Sequence, residues 1–244
     1  MMMSILGVEE IPDASSWGES KPENSVSFKA IQKLNLGSGV IDAAGGSGHV
    51  SMALGLAGVK STVVDPRENV GKLPGRDRKI WRNAILSRNL VVSTSDGIPL
   101  CQPIEPYKTL RAWFGSEPDG VDKTFRHPDQ EKIEVCTEEH ELLESCSAIV
   151  ALHPDEATDT IVDVAVQNRI PFIVIPCCVF SRLFPNRRKP NSTEPVCTYD
   201  DLIEYLMGKH VSIQKTVLPF VGSNIALWST FSHKDVKLKN SEMR

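Results

Sequence analysis

Ser38–Pro66, SGVIDAAGGSGHVSMALGLAGVKSTVVDP, reads as a buried strand, a glycine turn, a small-residue helix and a second strand closed by an acid. Val40 and Ile41 form a short apolar run ending in Asp42. Gly45, Gly46 and Gly48 follow, where the backbone turns sharply and another group can approach without a side chain in the way. Val50, Ala53, Leu54 and Ala57 recur at helical spacing and predict the apolar face of a helix stopped at Gly58. From Ser61 the chain is β-rich through Val64, and Asp65 and Pro66 end that strand. In such a unit an acid about 20 residues past the glycines lies at the carboxyl edge of the neighbouring strand, placed to accept hydrogen bonds from ribose hydroxyls. Asp65 is in that place, and the stretch reads as half of a nucleotide-cofactor site. The competing reading is a plain strand–helix turn with Asp65 as a solvated strand terminus.

The 244 residues are 41% hydrophobic and 24% charged, an ordinary globular composition that suits one α/β domain with insertions. No apolar run reaches about 18 residues, and the first residues lack a basic region followed by an apolar stretch, so no membrane span or signal peptide is expected. The six cysteines show no CxxC spacing and include the adjacent pair Cys177-Cys178, which reads as reduced thiols in cytoplasm or nucleus, with no metal expected. A net charge of −4 excludes a chain that is basic throughout. Basic residues nevertheless cluster twice, at Arg67–Arg88 and at Arg182, Arg187, Arg188 and Lys189.

Residues 1–25 read as a loose polar arm anchored by Trp17, 26–232 as a single domain with an acidic insertion near 116–144, and 233–244 as a polar tail. Helices are expected over Ser27–Leu36, around GRDRKIWRNAIL, at Glu138–Ser145 and at Ala157–Gln167. A further helix follows Thr198, where Asp201 three residues on makes a capping box. The third strand is either Leu90–Ser93 or Thr109–Phe114. Ser147–Leu152 and Pro171–Ile175 are continuous apolar runs, as central parallel strands require. Val211–Leu218 and Asn224–Thr230, separated by a few residues, predict a C-terminal antiparallel hairpin.

Alternating strands and helices closed by such a hairpin, with an acid leading the glycine turn, resemble the class I S-adenosylmethionine-dependent methyltransferases. The resemblance runs from about residue 27 to 230 and implies a Rossmann-like α/β fold, a seven-stranded, mostly parallel sheet with helices on both faces. The turn Asp42-Ala43-Ala44-Gly45-Gly46-Ser47-Gly48 departs from the family pattern D-x-G-x-G-x-G in having Ala44 at the first glycine. By this resemblance Gly46 and Gly48 would approach the methionine part of S-adenosylmethionine, Asp42 would organise the turn or meet the amino group, and Asp65 would hold the ribose. An acid at the turn is compatible with a cofactor that carries no phosphate, whereas it would repel a pyrophosphate; an NAD(P)-dependent oxidoreductase is the weaker alternative.

ALHPDEATD after the fourth strand and IPCC after the fifth look like a subgroup with Leu-His and Cys-Cys at those places, which includes a tRNA 2′-O-methyltransferase. Pro154-Asp155 and Val179-Phe180 replace the residues that usually follow. Loops after parallel strands emerge at one edge, so Asp42, Asp65, His153, Asp155, Cys177 and Cys178 should surround one crevice, rimmed by the basic clusters. His153 and Asp155 are the candidate catalytic bases, and Cys177, Cys178, Arg182, Arg187 and Arg188 the candidate substrate contacts. RNA is the favoured acceptor, with a protein or small-molecule acceptor and a noncatalytic binding or scaffold protein as alternatives. The bland readings are a packed His153, Asp155 as a helix N-cap, and a buried Cys pair that shapes the pocket.

Overall fold

The strand β1 (Gly39–Ala43) is buried at every residue and sits between β2 (Ser61–Val64) and β6 (Cys146–Leu152), parallel to both. The computed structural model describes residues 26–90, 106–114, 125–126 and 137–231. Within them the main sheet has seven strands in the order β3-β2-β1-β6-β7-β9-β8, with β3 at Lys108–Leu110, β7 at Phe172–Ile175, β8 at Gln214–Val217 and β9 at Ile225–Ser229. Only β9 runs against the others: it is antiparallel to β7 and to β8. The fold is therefore the expected Rossmann-like α/β sheet, mostly parallel, with a C-terminal antiparallel hairpin.

Successive residues of a strand face opposite sides, so a strand covered on both faces is apolar throughout. Ile41 and Ala43 of β1, Ile149 and Ala151 of β6 and Phe172 and Val174 of β7 share one core, against α4 (Thr137–Ser145), α5 (Thr158–Asn168) and α6 (Tyr199–Met207). Val40, Ala148, Val150, Ile173 and Ile175 enter the other, beneath α1 (Val26–Leu34) and α2 (His49–Leu56). A third cluster joins α2 to α3 (Gly75–Leu90), where Trp81 packs on Leu73 and stacks with Tyr107 at 5.6 Å. Thr198 caps α6 in the expected capping box with Asp201, and Gly58, at φ +80°, closes α2.

Three local expectations shift. The third strand overlaps only the start of Thr109–Phe114, because Trp113–Phe114 leaves the sheet as β4 and pairs with β5 (Phe125–Arg126). Leu90 closes α3, and residues 91–93 lie outside the described residues, as do the arm, the tail and most of the insertion. The buried face of α2 is Ser51, Leu54 and Gly55, while Ala53 is exposed, because Ser51 is drawn to the buried Asp42. All four residues of β8 are exposed, and Val221 beyond it is fully open to solvent. Among the described residues no helix is long and apolar enough to cross a membrane.

Candidate functional site

Asp42 ends β1 beneath the glycine turn and serves the turn itself. Its Oδ2 accepts hydrogen bonds from the Ser51 backbone N–H at 3.0 Å and the Ser51 hydroxyl at 2.9 Å, fixing the first turn of α2 to the strand. Its Oδ1 is buried and has no hydrogen-bond partner among the described residues. Burial pushes the Asp42 carboxyl up to about 6 against the pull of the Ser51 bonds. Gly45 lies so close that a Cβ there would meet this carboxylate at 2.5 Å, which explains why no side chain stands at that position.

Asp65, at the end of β2, is buried and fully engaged. Oδ2 accepts from the Gly46 N–H at 3.0 Å and from Arg67 Nη2 at 3.0 Å; Oδ1 accepts from the Arg67 N–H at 3.0 Å and from Nε at 2.8 Å. A carboxylate offers about four acceptor positions, and all are used. Burial works to raise its pKa, but the bonds and charge of Arg67 prevail and hold it below the usual value. The Arg67 side chain is itself 67% exposed. Both Gly46 and Gly48, the expected approach to a cofactor, have a side chain standing over them. The Arg67 guanidinium fills the space above Gly46, and the Tyr107 ring fills that above Gly48, where φ is +83°. The Gly71 N–H bonds to the Gly46 carbonyl at 2.7 Å and Tyr107 to the Gly71 carbonyl at 2.8 Å, so the chain after β2 closes over the turn.

A cavity of about 350 Å³ opens at the carboxyl edge, a size that suits a small-molecule site. It is lined by the chain leaving each of five parallel strands: Ala44 after β1, Asp65 and Arg67 after β2, Trp113 and Phe114 after β3, His153 to Ala157 after β6, and Phe180 after β7. Four of these residues are non-glycines in the left-handed region, Ala44 at φ 52°, His153 at 53°, Asp155 at 49° and Phe180 at 47°. Each such residue costs on the order of 1 kcal/mol or more, and such strain concentrates at functional sites. Aspartate and histidine tolerate the conformation; alanine and phenylalanine gain nothing from it locally. No feature of the linear sequence announced this cluster.

His153 is exposed at the cavity wall, not packed against the strand end. Asp155 makes no helix cap. Its Oδ1 accepts from the Cys177 thiol at 3.2 Å, and a short 3₁₀ turn, Asp155–Ala157, leads into α5. Burial, the neighbouring Cys178 and the Asp155 carboxylate push the Cys177 thiol up to about 12, the opposite of what a nucleophilic thiol needs. Of the basic candidates, Arg182 and Arg188 are exposed. Arg187, expected at the acceptor surface, is instead buried, pairs with Asp159 and donates to the Val179 carbonyl. Its charge partner stands 28 positions away in the chain, beyond what spacing reveals.

Because Arg67 is the exposed partner, water can replace its guanidinium at Asp65, which makes the pair a weak contributor despite its short bonds. Arg67→Ala is expected to lower stability by at most about 1 kcal/mol, a melting shift of no more than about 4 °C, while vacating two acceptor positions on Asp65. A larger loss in a thermal melt would make Arg67 a structural member of the turn. Comparison with protein-family models, curated proteins and solved structures finds no match to this chain.

Proposed function

We propose that the chain is an S-adenosylmethionine-dependent methyltransferase with RNA as its acceptor. The observation that carries this reading is the convergence of five strand ends on one cavity whose wall holds Asp65, the glycine-turn residue Ala44, His153 and Asp155. The order of the sheet, with its single reversed strand, agrees with the family resemblance of the glycine turn. When bound, S-adenosylmethionine supplies a methyl group on a sulfonium, and an acceptor needs alignment with it more than it needs covalent help. Asp65 receives the ribose hydroxyls once the exposed Arg67 side chain moves aside. Trp113, Phe114 and Phe180 give the cavity aromatic walls that suit a base. His153 takes the proton from a hydroxyl or amide acceptor; Asp155 is less suited to it because it already accepts from Cys177. Arg76, Arg78, Lys79 and Arg82 on α3, with Arg182 and Arg188 after β7, are exposed and suit a phosphate backbone.

One observation favours a second reading, a methyltransferase-like binding protein without catalysis: Asp65 is saturated, and side chains fill the faces of Gly46 and Gly48. Isothermal titration with S-adenosylmethionine and S-adenosylhomocysteine separates the two. Catalysis predicts micromolar binding, roughly −8 kcal/mol. Asp65→Ala should weaken it by about 10-fold or more and Arg67→Ala should tighten it. His153→Ala should lower turnover on RNA with cofactor affinity kept. Absence of binding in both the wild type and Arg67→Ala would remove the methyltransferase reading and leave the noncatalytic one.

A further inference from the structure

We propose that Asp155, Cys177 and Cys178 form a binding site for a thiophilic divalent cation, Zn²⁺ foremost, at the edge of the cavity. Linear spacing predicts no metal, because His153 and the Cys pair lack close ligand spacing and no second Cys pair exists; Asp155 itself stands 22 positions before Cys177. The fold removes that distance. Asp155 Oδ1 and the two Sγ atoms all lie within 4.8 Å of one another, with Oδ1 and the Cys177 Sγ at 3.2 Å.

Two features of the backbone produce this grouping. Adjacent residues in a strand point to opposite faces, yet β7 ends at Ile175, and beyond Pro176 the chain leaves the sheet so that both thiols come to one side. Asp155 is held in the left-handed region at φ 49°, and its carboxylate goes to the thiols and not to the helix that follows.

The donor set selects the ion. Two thiolates with one carboxylate suit Zn²⁺, not the oxygen-seeking Mg²⁺ or Ca²⁺. Zn–S bonds near 2.3 Å and Zn–O bonds of 2.0–2.2 Å place tetrahedral ligand atoms roughly 3.6–3.8 Å apart, so the observed separations need adjustments of about 1 Å at most. Arg67 is near enough to feel the Asp155 charge, but its guanidinium bonds go to Asp65. Three protein ligands leave a tetrahedral ion one further position, and Asp155 is itself a wall of the cavity. The site stands whether or not the chain transfers methyl groups, since it is tested without cofactor.

The reduced full-length chain is titrated with Co²⁺ and then with Zn²⁺. The expected result is a thiolate-to-cobalt charge-transfer band that saturates at a single ion per chain, has the intensity of two thiolates, and is abolished by Zn²⁺. Cys177→Ser and Cys178→Ser should each halve the band. Asp155→Asn should keep it while weakening affinity by about 10-fold or more. Cys197→Ser, at an exposed thiol outside the cluster, should change nothing. No band on the wild type, or a band that survives in the Cys177→Ser/Cys178→Ser double variant, overturns the proposal. Should the serine variants fail to fold, the wild-type band decides: an intensity that does not match two thiolates overturns it equally.

Discussion

Arg187→Ala is expected to lower the melting temperature by roughly 10 °C. Its Nε lies 2.5 Å from Asp159 Oδ2, its Nη1 donates to the Val179 carbonyl, and its guanidinium sits 3.8 Å over the Phe184 ring. Asp159 is shared with Lys209 at 3.2 Å, and Lys209 pairs in turn with Asp163 at 2.7 Å. Removing one partner from a buried pair typically costs about 3–5 kcal/mol; Asp159 keeps Lys209 and loses only the Arg187 bond at Oδ2, so the lower end applies, and each kcal/mol moves the melting point of a chain this size by about 2–4 °C. Arg187→Lys should not rescue it, since one ammonium cannot span Asp159 and Val179 and also stack on Phe184. Arg182→Ala, at an exposed site, should melt within about 2 °C of wild type. A wild-type melt for Arg187→Ala together with lost RNA affinity would return Arg187 to the acceptor surface.

Asp42 governs a second large effect, this one with pH. Its carboxyl is raised to about 6 from 3.8 by burial, so between those values the folded chain holds a proton that the unfolded chain has released. Where the native state binds more protons, stability falls as pH rises. The contribution is absent below about pH 4, grows through the window, and by pH 7 amounts to roughly 3 kcal/mol of destabilisation. Asp42→Asn keeps an acceptor for Ser51 and removes the titration. Urea unfolding between pH 4 and pH 7 should show the variant gaining roughly 3 kcal/mol on the wild type towards neutral pH. Parallel stability curves across that range would place Asp42 in a polar environment and end this account of the turn.

The strands were legible because their burial is two-sided. Val40–Ile41, Ser147–Leu152 and Pro171–Ile175 leave continuous apolar runs, and the Thr198–Asp201 cap and Gly58 stop are local chemistry that linear order preserves. β3 was poorly legible for the converse reason: as an edge strand, its first two residues are exposed and nothing forces an apolar pattern on it. The buried face of α2 slipped because a polar residue, Ser51, faces inward to meet Asp42. At the site, Asp65, Asp155 and His153 follow from the rule that loops after parallel strands share an edge, while Asp42 turns inward to Ser51. Partnerships across the fold do not follow from it. Asp65 with Arg67, Arg187 with Asp159 and Cys177 with Asp155 depend on which way side chains turn once the loops are closed.

The reversed strand bears on how the chain comes off the ribosome. β7, buried on both faces, takes β6 on one edge and β9 on the other, and β9 is synthesised about fifty residues later. Until Ile225–Ser229 emerges, a nascent chain that has already joined β1 to β6 carries an apolar strand with an open row of backbone donors and acceptors, the state most exposed to pairing with another chain. The hairpin resolves this by exchanging one edge for another. Outermost in the finished sheet is β8, only four residues long, where Gln214, Lys215 and Thr216 leave Val217 as the one exposed apolar residue, a short border with a lysine that is poorly suited to recruiting a neighbour.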